Sequence, residues 1–210
     1  MNKIDERIAA LKAAPDKPLR KEFIAENRAV DDEARTVRFL ITTGRIDRDN
    51  DTIDPNGWDV SAFLKSPCVL WAHDYSQLPV AKALDITHTT TGLESTAQFP
   101  PKGVYPFADT VFELINGGYL NATSVGFRPL EFERANDRDG INFKRQELLE
   151  FSCVPVPANA EALVVARSKG IDTSLIEGWA RGVLKGLSVS KDPCPACGVE
   201  MAGDVCAGCG

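Results

Sequence analysis

The sequence predicts an α+β fold: an antiparallel β core, sheet or barrel, with helices inserted into it. Three observations lead there. Segments rich in β-branched and aromatic residues, with partial period-two alternation, recur from about residue 22 to residue 155. Clusters of Asp, Asn, Gly and Pro separate them at short intervals. One strongly periodic helical stretch, "YPFADTVFELINGGYL" at residues 105–120, is set among the strands.

The elements follow in order. "NKIDERIAALKAA" places Ile4, Ile8 and Leu11 near helical spacing among good helix formers, and Pro15 and Pro18 stop it, so "APDKPLRK" reads as a linker. "KEFIAENRAV" and "TVRFLITTGRID" read as strands. "RDNDTIDPNGWD" is turn chemistry; its acidic spacing resembles a calcium loop but lacks the glycine and closing Glu of one, so a polar loop is expected. "DVSAFLKS" suits a short capped helix, "PCVLWAHD" an apolar strand running into a charged turn, and "AKALDITHTTTGLESTAQF" two strands around a Thr/Gly turn. In the central helix Phe107, Val111, Leu114 and Ile115 share a face, and Asn116-Gly117-Gly118 ends it. "ATSVGFRPLEFER" and "INFKRQELLEFSCVPV" are strands joined by the polar turn "ANDRDG"; "PANAEALVVARSKG" turns back, and "TSLIEGWARGVLKGL" is an amphipathic helix. The chain therefore divides into a helix and linker (1–22), a main domain (23–168), a helix and linker (169–191) and a tail (192–210).

Composition narrows the function. The chain has 210 residues, 43% hydrophobic and 26% charged, enough for one sizeable core. Its net charge of −6 argues against binding nucleic-acid phosphates. Apolar runs such as "CVLWA" and "ALVVA" are far too short to span a membrane, and the N-terminus has no apolar signal core. Cys68 and Cys153 sit singly in apolar surroundings and are expected to be buried. Cys194, Cys197, Cys206 and Cys209 form two C-x-x-C knuckles, each followed by glycine, a pattern that suits one structural zinc ion in a small ribbon; no metal is expected in catalysis.

Three side chains carry candidate chemistry. Ser124 lies in "GGYLNATSVGFRP", where a turn-rich approach meets a strand. His73 follows the apolar run "CVLWA" at a strand end and could take a proton from a hydroxyl near neutral pH. Glu150 stands in a strand beside Leu149, Phe151 and Val154, facing either a semi-buried site or the outward side of an alternating strand. A serine nucleophile needs such a base and a group to orient it. His88, in a polar turn, is expected to be exposed.

The ordered set "LWAHD", "FELINGGYLNATSVGF" and "ELLEFSCVPVPANAEA" resembles the prohead (capsid maturation) serine proteases of tailed phages, which are similar in fold to herpesvirus assembly proteases. The resemblance covers roughly residues 24 to 168 and implies a herpesvirus-protease-like barrel. It implies His73 as base, Ser124 as nucleophile and Glu150 as the group orienting the imidazole, with His88 in reserve because related viral proteases use a second histidine. Gly126 and Arg128 lie near enough to Ser124 to be suspected as sources of oxyanion donors. The implied substrates are the major capsid protein and scaffold segments, with self-cleavage, self-association and a location in the host cytoplasm inside assembling proheads. The other reading is a non-catalytic capsid-assembly module docked through its zinc tail.

Overall fold

A computed structural model describes residues 2–24, 27–155 and 166–186, and the four tail cysteines lie outside the described residues. The chain forms two compact units, Met1–Ile171 and Asp172–Gly210. The second contains helix α3 (Ser174–Gly186), begun by an Asp172 carboxylate that accepts the Ser174 N–H at 2.9 Å.

The first unit opens with α1 (Lys3–Ala13), capped by Asn2, whose Oδ1 accepts the Ile4 N–H at 2.8 Å. Then come β1 (Leu19–Ile24), β2 (Asn27–Asp31), β3 (Thr36–Leu40), β4 (Thr52–Ile53), β5 (Trp58–Asp59) and a short 3₁₀ turn (Phe63–Lys65). They are followed by β6 (Cys68–Trp71), β7 (Ala81–Ala83), β8 (Thr87–His88), β9 (Leu93–Gln98), α2 (Pro106–Asn116), β10 (Ala122–Arg134) and β11 (Ile141–Val154).

One sheet runs β1-β10-β11-β6-β7-β9-β3-β2, with β4 and β5 added on β11 and β8 on β9. Its two end strands, β1 and β2, are consecutive in the chain, and only residues 25 and 26 separate them. Three peptide units reach about 11 Å at most, so the ends of the sheet must approach each other. The sheet is therefore curled into a half-barrel, and Thr123 on β10 reaches across it to donate to the Leu40 carbonyl at 3.3 Å.

Several expectations change. The pairing is mixed rather than antiparallel, because β4, β5 and β6 all run parallel to β11. Leu19–Lys21 belong to β1 and not to a linker, so the sheet begins before residue 23. "KEFIAENRAV" supplies two strands at opposite ends of the sheet rather than one strand. The loop "RDNDTIDPNGWD" contributes two short strands to β11. Cys153 is buried, but Cys68 is only half-buried.

The core lies inside the curl. Phe127 is fully buried and meets Trp58 and Phe143 edge-on, at ring separations of 5.7 and 5.4 Å. Removing such a ring costs about 3–5 kcal/mol. Helix α2 starts on Pro106 at its first turn, where no N–H is missed, and buries Phe107, Val111, Phe112, Leu114 and Ile115. Phe107 packs on Trp71, the last residue of β6, at 5.7 Å. Gly118, with φ of +76°, then turns the chain out of α2 toward β10. The helix thus packs on the end of the strand that precedes His73 and leads into the strand that carries Ser124.

Candidate active site

Three adjacent strands, β10, β11 and β6, hold the candidate residues. The β6–β11 register pairs Val69 with Phe151, Leu70 with Ser152 and Trp71 with Cys153. Just past β6, Ala72 and His73 adopt φ of +49° and +58°, the left-handed region that costs a non-glycine residue about 1–3 kcal/mol. Two hydrogen bonds pin that turn to β11: the Ala72 N–H to the Cys153 carbonyl at 2.9 Å, and the His73 N–H to Ser152 Oγ at 3.1 Å. The strained turn places the imidazole over the sheet and against Ser124.

Ser124 is fully buried on β10, opposite Ser152 of β11 on one side and Glu22 of β1 on the other. Its Oγ lies 2.6 Å from His73 Nε2. On the far side of the ring, Nδ1 lies 2.5 Å from Glu150 Oε1. An ionised carboxylate can only accept, so Nδ1 carries the proton and Nε2 turns its lone pair to the serine hydroxyl. The second Glu150 oxygen accepts the Ser152 hydroxyl at 2.8 Å. Glu150 is 3% exposed, which decides between the two readings of its strand: it faces the interior. His88, by contrast, is exposed on β8 opposite Leu93.

The structure therefore brings His73, Ser124 and Glu150 together and leaves His88 apart. Two partners escaped sequence reasoning. Ser152 binds both the Glu150 carboxylate and the His73 backbone. Gly126 leaves room for Glu150, since a Cβ there would stand 2.3 Å from Oε1. The signals were the spacings S-x-G and E-x-S, which period-two alternation puts on one face of each strand. Arg128 points its guanidinium at Glu147, 3.2 Å away. Cys153, although next to Ser152, is no rival nucleophile, because burial pushes its thiol up to about 12 and keeps it protonated.

Beside His73 an open groove of about 900 Å³ is lined by Lys21, Thr43, Asp47, Asp49 and Val154, among others. No helix among the described residues is long and apolar enough to cross a membrane.

Residues 29–175 match the family model of the caudovirus prohead serine protease. The chain is 32% identical over 152 residues to a capsid polyprotein of Pseudomonas phage PAJU2, covering 70% of this chain and 22% of that protein. It is 30% identical over 143 residues to a prohead protease of Escherichia phage T5, covering 64% of this chain and 66% of that one. The chain thus spans about a fifth of the polyprotein and just under two thirds of the T5 protein. No solved structure matches.

Proposed function

Because the chain belongs to the caudovirus prohead serine protease family, we propose that it is a serine endopeptidase that cleaves capsid and scaffold proteins, and its own chain, as the prohead matures. The observation that carries this reading is the continuous path from Ser124 Oγ through His73 to Glu150, with contacts of 2.6 and 2.5 Å. Ser124 Oγ attacks a peptide carbonyl carbon while its proton passes to His73 Nε2. The imidazolium so formed is stabilised by Glu150, and it then protonates the leaving amine as the C–N bond breaks. Water, deprotonated by the same imidazole, hydrolyses the acyl-enzyme and restores Ser124. Backbone N–H groups near Ser124 supply the oxyanion donors.

The finer parts of this reading rest on the resemblance to the family and, for the tail, on its cysteine spacing. The curled sheet is that of the herpesvirus assembly proteases, the enzyme acts in the host cytoplasm inside the assembling prohead, and its substrates are the major capsid protein and scaffold segments. The four tail cysteines hold one zinc ion in a ribbon that recruits the enzyme to the head; their donor set suits tetrahedral Zn²⁺. Metal analysis should find about one zinc per full-length chain and none in a truncation ending at Lys191.

Co-expression with the capsid protein tests the main reading. Wild type should shorten the capsid protein and Ser124→Ala should not, with both proteins equally folded by thermal denaturation. Equal processing by the two would overturn it, and an intact capsid protein in both would leave the assembly-module reading in its place.

A further inference from the structure

A second, partly buried polar network borders the groove beside His73. Asp47, Asp49 and Asp51 each place an Oδ2 atom on the Lys21 ammonium, at 2.7, 2.6 and 2.7 Å. An ammonium has three N–H donors, and it meets three carboxylate oxygens here. A planar guanidinium could not match that trigonal set with a single nitrogen.

Two of the carboxylates, those of Asp47 and Asp51, are also held by groups other than the lysine. Asp47 Oδ1 accepts the Asp49 and Asp51 N–H groups at 2.8 and 2.9 Å. Asp51 Oδ1 accepts the Ile141 N–H at 2.8 Å, and its Oδ2 also binds Arg7 at 2.5 Å. Gly140 anchors the same loop: a Cβ there would stand 1.7 Å from the Asn50 carbonyl oxygen.

What connects this network to the chemistry is the main chain of Lys21. Ser124 Oγ lies 3.0 Å from the Lys21 carbonyl oxygen, as well as 2.6 Å from His73 Nε2. The Ser124 hydroxyl thus has two acceptors for one hydrogen, the Lys21 carbonyl oxygen and His73 Nε2, which keeps the serine oxygen against the carbonyl group of Lys21. Strand β1 runs antiparallel along β10, with Glu22 opposite Ser124 and Lys21 opposite Val125. A backbone strand alongside the nucleophile strand, with one carbonyl at the nucleophile and the side chain of that same residue in a fitted pocket, is the arrangement of a bound peptide substrate. It also explains why Ser124 is fully buried.

We infer that Asp47, Asp49 and Asp51 form the specificity pocket for a lysine on the residue that donates the scissile carbonyl, and that Lys21 of the chain's own β1 fills this pocket in the structure. The inference rests on the protease reading above and names its substrate class: extended peptides cut after lysine. The ammonium is also held in its charged form. Burial alone would depress Lys21, but its hydrogen bonds to Asp47, Asp49 and Asp51 outweigh that and raise it above its ordinary value.

The test uses full-length protein and two synthetic peptides copied from residues 16–28, one with Lys21 and one with norleucine in its place. Cuts are mapped by mass spectrometry, and those also made by Ser124→Ala are subtracted. Wild type should cut after lysine at least 10-fold faster than after norleucine. Asp49→Asn, whose side chain is 63% exposed and therefore removable without unfolding, should lower cleavage of the lysine peptide up to about 5-fold, with a smaller effect on the norleucine peptide, as suits an exposed ion pair. Asp49→Lys should go further and turn preference toward glutamate before the cut. Ser124-dependent cuts in the peptides or in co-expressed capsid protein with no lysine preference, or an equal loss on both peptides in Asp49→Asn, would overturn this inference alone. Absence of any Ser124-dependent cut would overturn the protease reading and this inference with it.

Discussion

Two polar networks, one buried and one partly exposed, meet at Ser124, and they are built differently. His73, Glu150 and Ser152 belong to β6 and β11 or to the turn that closes β6, so strand register fixes their separations from Ser124 on β10. Lys21 and its carboxylates belong to the strand at the end of the sheet and to the loop after β3, tied down by α1 and the β10–β11 turn. The first network holds a single carboxylate among matched donors. The second concentrates three carboxylates on an ammonium and one guanidinium. On the proposed reading, the difference reflects what each network does. Moving a proton needs atoms placed to a few tenths of an ångström, which neighbouring strands provide. Recognising a charge tolerates a loop, because Coulomb attraction falls only as the inverse of distance.

The strongest way to break this comparison is to remove members of the first network. Ser124→Ala and His73→Ala should each lower kcat on the order of 10⁶, and His88→Ala should be silent. Glu150→Gln should lower kcat by about 10³ to 10⁴, less than the other two, because it orients and stabilises the base rather than acting as one. Steady-state kinetics on the lysine peptide would check both. A loss on His88→Ala comparable to that on Glu150→Gln would mean that the third member has been misassigned.

Ser152→Ala sharpens the comparison at the next level down. It removes the hydroxyl that binds Glu150 Oε2 and receives the His73 N–H. One such hydrogen bond contributes about 1 kcal/mol, so kcat should fall roughly 5- to 10-fold. KM should stay constant, since the Ser152 hydroxyl is fully buried and engaged with Glu150 and the His73 N–H. A positioning role also predicts that the pH–rate profile moves; a drop in thermal stability with an unchanged profile would assign Ser152 to packing alone.

How much of this was legible in the sequence depends on the range of the interaction. Helix α2, the β10 and β11 strands, and the order of His73, Ser124 and Glu150 follow from local periodicity and short motifs. A barrel-like core was expected, but the way the sheet curls was not legible, because it depends on β1 and β2 pairing at opposite ends although they adjoin in the chain. Lys21 reads as the end of a linker after Pro15 and Pro18, and "RDNDTIDPNGWD" reads as an ordinary polar loop; only their meeting in space gives either a role. Gly126 was suspected for its N–H, whereas what the structure requires of it is the missing Cβ. The left-handed turn at Ala72 and His73 carried little sequence signal, since alanine avoids that region and the enrichment of histidine there does not single out one position.

The smallest predicted effect concerns the stability of the second network and its sign with pH. The hydrogen bond from Lys21 holds the Asp49 carboxyl below its ordinary value of 3.8, against an opposing desolvation. A group depressed in the folded state stabilises above its unfolded pKa and loses that contribution as pH falls through the folded one. Lys21 is raised above 10.5, so its contribution is complete below that value and is lost as pH rises through the folded pKa. Asp49 is largely exposed, which limits the pair to the range of surface ion pairs, under about 1 kcal/mol or 4 °C in Tm. The Tm difference between wild type and Asp49→Asn should therefore stay level from about pH 5 to about pH 10 and shrink toward zero on either side. Thermal melts across that range would check it. A difference that grows on acidification would mean that Asp49 is neutral in the fold, and that the lysine pocket rests on Asp47 and Asp51 alone.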